Sequence, residues 1–237
     1  RETLLIKDDE AEGGYRQEEL MIRFTARGPV ITDHGRTGHG DAVLSLRWAA
    51  AEYMAPRLGV DALMRARTVD AALAAIHDTR IISLNFVVGD VSGRVARRAS
   101  GAAPIRIAGD GRAPFPVTDG ADNWAGPIPP DQMPGEIDPP RGWTGSANHL
   151  TAPADYPFVY TSYASPSYRY RRMQTLFAAE RVDAGAAWAA QHDTLNLFAQ
   201  RLVPILAPAL QTSRDEAVAA LGDALAQWDR HDAAGAV

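Results

Sequence analysis

Ile81-Ile82-Ser83-Leu84-Asn85-Phe86-Val87-Val88 is followed at once by Gly89-Asp90-Val91-Ser92-Gly93. The first stretch is rich in apolar and β-branched residues, the composition of a buried central strand. The second is made of turn formers and predicts a reversal into a partner strand beginning at Arg94. Upstream the pattern changes. Around Ala50 to Arg67 and from Val69 to His77, Ala and Leu dominate and apolar residues recur at three- and four-residue spacing. That spacing predicts two helices, the first broken near Pro56. Helices that run into a buried strand and its hairpin partner imply an α+β or layered sheet-and-helix packing.

Further outward, Thr3 to Lys7 and Glu19 to Phe24 alternate in strand fashion around the acidic, Gly-containing stretch Asp8 to Gly14 and predict a hairpin. Gly28 to Thr32 and Leu44 to Trp48 read as further strands, separated by a His- and Gly-rich loop from Asp33 to Asp41. In the other direction, Ala102 to Trp143 is rich in Pro and Gly with little periodicity, and predicts an ordered loop covering a scaffold. Gly145 to Tyr170 reads as short strand and loop, and Arg171 to Glu180 as the start of a helix. Beyond Asp183 the expectation is helical: Ala184 to His192, Thr194 to Leu210 with a kink or break at Pro204 and Pro208, and Ser213 to Arg230. Ser213 is the expected N-cap of the last, with Asp215 and Glu216 in its first turn. The expected organisation is a strand-rich portion over residues 1–182, carrying the covering loop 102–143, and a mostly helical segment over 183–237.

The 237 residues carry a net charge of -5 with both signs interspersed, which argues against a nucleic-acid or anionic-membrane partner. No run approaches the roughly 18 apolar residues of a spanning helix. With no cysteine, disulfides, thiolate metal sites and a cysteine nucleophile are excluded together. No cofactor signature is present.

Three clusters could carry chemistry. Asp33-His34, His39 and Asp41 offer imidazole and carboxylate ligands, but their spacing matches no ligand pattern, and a solvated loop is the plainer reading; no metal site is expected. His192 and Asp193 are adjacent on or at the end of a helix, where neighbours point apart. Ser146-Ala147-Asn148-His149, with Arg169, Arg171 and Arg172 downstream, is richer. An amide and a guanidinium can donate to a developing oxyanion, and Ser with His could make a nucleophile and its base. A structural role for Asn148 stands beside these. Trp124 and Trp143 could anchor the covering loop or line a pocket.

Read in order, the chain contains Arg27-Gly28-Pro29-Val30-Ile31, Leu46-Arg47-Trp48, Asn85-Phe86-Val87-Val88-Gly89-Asp90-Val91-Ser92-Gly93, Pro104-Ile105-Arg106 and Gly109-Asp110-Gly111. Asp122-Asn123-Trp124-Ala125-Gly126, Pro139-Pro140-Arg141-Gly142, Ser146-Ala147-Asn148, Asp155-Tyr156-Pro157, Tyr168-Arg169 and Trp228-Asp229 continue the series. In order and spacing it resembles the penicillin acylase (penicillin amidase) family of N-terminal-nucleophile hydrolases.

The resemblance implies a partial N-terminal-nucleophile fold, with two stacked sheets between helical layers. It also implies cleavage of an amide by the N-terminal serine of a self-processed large subunit, whose own α-amine is the base. A free α-amine with a pKa of about 8 can take that proton near neutral pH. On this reading Asn148 matches the side-chain donor of the oxyanion hole, Arg169 an arginine near the nucleophile, and Leu84 an apolar position of the acyl pocket. Because the chain begins at Arg1, the nucleophile is expected upstream, and the stop after Trp228-Asp229 suggests an internal fragment that is inactive alone. The family's calcium site does not transfer: Tyr160 stands near where a carboxylate is expected. The implied partners are a small N-acyl amide, such as a β-lactam or an acyl-homoserine lactone, and the remaining segments of a parent acylase. Self-association through apolar surface is a further expectation. The implied location is periplasmic or secreted. The alternative is a non-catalytic binding or structural module on the same scaffold.

Overall fold

A computed structural model describes residues 1–32, 43–53, 58–117, 123–178 and 181–233. Two small antiparallel ribbons open the chain. β1 (Glu2–Lys7) pairs with β2 (Tyr15–Leu20), and β3 (Phe24–Thr25) with β4 (Gly28–Pro29). The second strand thus lies earlier than Glu19 to Phe24, because the turn closes early: Asp8 N donates to Gly14 O at 3.0 Å, and Tyr15 already faces Lys7. Leu44 to Trp48 is not a strand. Its contact is a single bridge from Ser45 to Val30, flanked by Ile31 N to Leu44 O (2.9 Å) and Leu46 N to Pro29 O (2.8 Å). The approach is close enough to require glycine: a Cβ on Gly28 (φ 142°) would sit 2.0 Å from Leu46 O.

Three short helices follow, α1 (Ala49–Tyr53), α2 (Val60–Arg65) and α3 (Val69–His77); Pro56 lies outside the described residues. Thr68 caps α3 by accepting from Ala71 N at 3.2 Å. Val69, Ala72, Leu73 and Ile76 form the buried stripe expected of helical spacing.

The sheet that α3 covers is built from β5 (Asn85–Gly89) and β6 (Val95–Ala99). Further along, β7 (Pro104–Arg106) pairs with β8 (Trp124–Pro127), and β9 (Gly135–Ile137) joins β6 to give the order β5-β6-β9. The central strand is therefore β6, and the apolar run 81–88 forms an outer one, starting only at Asn85. The reason lies in the period of two. Phe86, Val88 and Ala96 pack on Val69, Leu73 and Ile76 of α3, whereas Val87, on the other face, remains 53% exposed. Asp90, in the turn between β5 and β6, accepts from Val69 N at 3.0 Å and so ties the turn to the start of α3.

The Pro- and Gly-rich stretch carries elements after all: β7, β8, a 3-10 turn at Pro130–Gln132, and β9. Its Ile128 and Met133 are buried with Ala99, against Ile105, Phe158 and Tyr160. Residues 145–167, by contrast, contain no strand.

α4 (Tyr168–Leu176) begins before Arg171. α5 (Ala184–Gln191) is capped by Asp183, and α6 (Leu197–Gln211) by Asn196. Pro204 and Pro208 do not break α6. Both prolines are exposed, where the carbonyls they leave unpaired meet water, while Ala199, Val203 and Ala207 hold the other face against Leu225 and Trp228. α7 (Glu216–Gln227) is capped by Asp215, not Ser213: the carboxylate accepts from Ala217 N (2.9 Å) and Val218 N (3.3 Å), and Ser213 Oγ accepts from Asp215 N. The result is a mixed helix-and-sheet protein with small antiparallel sheets. None of its described helices is long and apolar enough to cross a membrane.

Candidate active site

The face of the sheet opposite α3 carries the site. In register, Arg97 on β6 stands between Val87 on β5 and Glu136 on β9, with Asn85 and Ala99 on the same face. The segment after β9 is fastened to this face at both ends. Near its start, Thr144 Oγ1 donates to Glu136 Oε1 at 2.5 Å and Arg141 Nη2 donates to the same oxygen. Near its end, Arg97 Nη2 donates to Thr151 O at 3.2 Å, while Nη1 reaches Asn85 Oδ1 at 3.3 Å.

Between these fastenings the segment leans on α4. The Trp143 ring lies 6.0 Å from Tyr170 and 5.5 Å from Phe177. Buried Gly145 lets Met173 come close, since a Cβ there would meet Met173 Cε at 2.5 Å. His149 stacks on Tyr170 with ring centres 3.8 Å apart. α4 is held from behind: Arg172 clasps Asp193 through Nε to Oδ2 (2.8 Å) and Nη2 to Oδ1 (2.6 Å), and Tyr168 meets Phe198 of α6 edge-on at 5.2 Å.

Asn148 sits at the crest of the segment with φ +60°, in the left-handed region that Asn tolerates better than most residues. Its carbonyl accepts from Ser165 N at 2.7 Å, and its side-chain Oδ1 accepts from Arg169 Nη2 at 2.8 Å. A guanidinium has donors only, so this contact fixes which way the amide faces. The Nδ2 group is left with two N–H donors and no acceptor among the described residues. Both side chains are exposed, so an anionic oxygen arriving from outside can accept from Nδ2 with a cation one bond away.

The remaining candidates make other partners. Leu84 exchanges hydrogen bonds with Ser100 (Leu84 N to Ser100 Oγ, 3.1 Å; Ser100 N to Leu84 O, 2.8 Å) and shares no hydrogen bond with Asn148 or Arg169 among the described residues. Ser146 and His149 share no hydrogen bond in the described structure. Instead His149 Nδ1 faces Ala147 N at 3.4 Å, and burial, aided by the charge of Arg97 and opposed by Glu136, lowers its pKa. A neutral imidazole held in that way is not paired as a base to serine. His192 turns to Trp188 O and Asp193 to Arg172, so that pair does not cooperate either. Asp33, His34, His39 and Asp41 lie outside the described residues, and among those described no cluster could hold a metal ion.

Arg97 and Glu136 were not visible as site residues in the sequence. Val-Ala-Arg-Arg-Ala reads as a polar strand, yet Arg97 is 4% exposed. A separate cavity of about 720 Å³ is lined by Arg27, Arg47, Arg106, Phe115 and Trp124, with Arg47 stacked 4.1 Å over the Trp124 ring; it shares no lining residue with the Asn148 segment or α4.

Comparison with known proteins gives a consistent picture. The sequence model of the family described as penicillin amidase matches residues 1–237. The penicillin acylase 2 proenzyme of Pseudomonas sp. (strain SE83) is 32% identical over 194 residues, 80% of this chain and 24% of that protein. The acyl-homoserine lactone acylase QuiP of Pseudomonas syringae pv. tomato is 31% identical over 237 residues, 98% of this chain and 27% of that protein. Among solved structures, the thermostable penicillin G acylase from Alcaligenes faecalis superposes with a TM-score of 0.65 at 22% identity, covering 97% of this chain and 41% of that one. The chain thus spans about a quarter of the length of these curated relatives.

Proposed function

The chain belongs to the penicillin amidase family, and from that premise we propose that it is part of an amidohydrolase that cleaves an N-acyl amide. In this reading Asn148 Nδ2 donates to the oxyanion that forms as the amide carbonyl is attacked. Arg169 orients the Asn148 amide and adds positive charge beside the developing negative one. Leu84 contributes to the wall of the acyl pocket. The attacking hydroxyl comes from another segment of the parent protein. What supports this last point is that the described serines bonded to a carboxylate or carbonyl, Ser92 to Asp90 and Ser100 to Ile82, belong to a turn and a strand end, not to the Asn148 segment.

The observation that carries the reading is the 2.8 Å bond from Arg169 to Asn148 Oδ1, which leaves an oriented pair of N–H donors on an exposed crest. We extend the proposal to the fold of the parent, in which this three-stranded sheet takes its place in the stacked sheets of an N-terminal-nucleophile hydrolase. The chain on its own then lacks activity, and exposed apolar side chains such as Leu5 (67%), Met64 (77%) and Ile205 (71%) meet the other segments or a second copy. A periplasmic or secreted location is part of the same proposal.

The test is hydrolysis of a chromogenic phenylacetyl anilide and of an N-acyl-homoserine lactone by the full-length protein and its Asn148→Ala variant. Removing one oxyanion donor is expected to lower kcat about a hundredfold or more. A full-length protein that cleaves neither amide favours a non-catalytic module on the same scaffold.

A further inference from the structure

We infer that Arg97 is a positioning residue for the Asn148 segment, acting as a buried bridge between the sheet and the loop that presents the amide. It lies on the central strand and is 4% exposed, a placement that arginine rarely accepts without a purpose-built environment. That environment is present. Nη1 is committed to Asn85 Oδ1 and Nη2 to Thr151 O, while Nε lies 3.6 Å from Glu136 Oε1, close enough for charge compensation but too long for a hydrogen bond. Burial pushes the pKa of Arg97 down and Glu136 opposes this. Burial likewise works to raise the pKa of Glu136, but the hydrogen bonds from Thr144 and Arg141 and the charges of Arg141 and Arg97 outweigh it and hold the carboxylate ionised.

The geometry makes this a device for holding the loop. Thr144 and Thr151 bracket Asn148, and both answer to one cross-strand pair: Thr144 to Glu136, Thr151 to Arg97. The rigid sheet therefore sets where the crest stands, and α4 sets which way the amide faces. A lysine in place of Arg97 cannot do the same. Its ammonium supplies a point charge but no planar fork that reaches Asn85 and Thr151 together.

The structural half of this inference stands alone; its catalytic half rests on the proposed role of Asn148. The experiment uses the full-length protein and compares wild type, Arg97→Met, Arg97→Lys, Asn148→Ala and the double variant Arg97→Met/Asn148→Ala. Two readouts are taken. The first is amide hydrogen exchange in residues 143–151 and at Ser165, whose N–H is bonded to Asn148 O. The second is kcat and KM for phenylacetyl anilide hydrolysis. Arg97→Met and Arg97→Lys are both expected to speed exchange in that segment while α6 and α7 keep theirs. Both should lower kcat by about tenfold to a hundredfold with KM within about twofold, because the loss is one of alignment. In the Asn148→Ala background Arg97→Met should cost nothing more.

Unchanged exchange in residues 143–151 overturns the inference whatever the activity. So does wild-type behaviour of Arg97→Lys, which also decides the matter if the methionine variant fails to fold. Fully additive losses of kcat in the double variant show that Arg97 does not act through Asn148. If Asn148→Ala alone leaves kcat unchanged, the proposed function falls, and the exchange data still decide whether Arg97 places the loop.

Discussion

Replacing Asp193 with asparagine keeps the size of the side chain and removes its charge, leaving Arg172 of α4 without a counter-ion. The native pair is bidentate, at 2.8 and 2.6 Å, with side chains only 24% and 14% exposed, so solvent screens it weakly. Charge-assisted hydrogen bonds are worth roughly 1.5–3 kcal/mol each before the cost of removing both groups from water. With one amide bond to arginine retained, the net loss at neutral pH is about 2 kcal/mol, near a thirtyfold change in the folding equilibrium. The hydrogen bond from Arg172, against the opposing effect of burial, holds the Asp193 carboxyl below the usual carboxylate range, and the same bond raises Arg172. A carboxylate whose folded pKa is depressed contributes fully above its unfolded value near 4 and loses that contribution as pH falls through the folded value. Urea unfolding of wild type and Asp193→Asn, repeated from pH 7 downward, should therefore give two stabilities that differ by about 2 kcal/mol at neutrality and converge in acid. A difference that stays constant through the carboxylate titration would refute the reasoning, since it would have to come from packing.

Two further outcomes follow from close contacts and from backbone shape. Gly222 of α7 is buried where a Cβ would meet Gln211 N at 2.7 Å and Ala207 O at 3.0 Å, so Gly222→Ala should prise α6 from α7. The expected loss is about 1–3 kcal/mol, less up to about 1 kcal/mol regained from helix propensity, read as a lower melting temperature by far-ultraviolet circular dichroism. Asn148→Gly keeps a backbone that accepts φ +60° while deleting the donor. It should leave stability within about 0.5 kcal/mol of wild type and still abolish most turnover, whereas Asn148→Ala adds about 1 kcal/mol of backbone strain.

The parts of the fold that were legible are those specified by neighbours in sequence. The stripe of Val69, Leu73 and Ile76 and the turn formers from Gly89 to Gly93 announce α3 and the hairpin, and both are where the pattern puts them. Strand burial was misjudged because it depends on partners far along the chain. The apolar run before Gly89 looked central, but only alternate residues face α3. The strand that is central contains Arg97, whose charge is made tolerable by Glu136 from within the Pro-rich stretch. At the start of α7, Ser213 and Asp215 are both competent caps, and the choice turned on which oxygen reaches Ala217 and Val218. The site was legible in part. Asn148 and Arg169 could be singled out, and the structure brings them into contact; Leu84, singled out with them, is hydrogen-bonded through its backbone to Ser100. That Arg169 faces the oxygen of the Asn148 amide depends on how α4 lies against the Trp143–His149 segment, which no local pattern encodes.

The carboxylate of Asp90 belongs at once to the tip of a hairpin and to the first turn of a helix. Through Ser92 N (2.9 Å) it closes the reversal between β5 and β6, and through Val69 N (3.0 Å) it satisfies a donor that α3 cannot satisfy itself. A helix of nine residues is too short to persist alone in water, where isolated helices below about 12–15 residues are marginal. A lone two-stranded hairpin is no better off. Each element thus becomes worthwhile only in the presence of the other, and the shared carboxylate welds them into one unit of cooperativity. Helix and hairpin are thereby expected to loosen together if that carboxylate is removed, taking with them the support beneath the Asn148 segment.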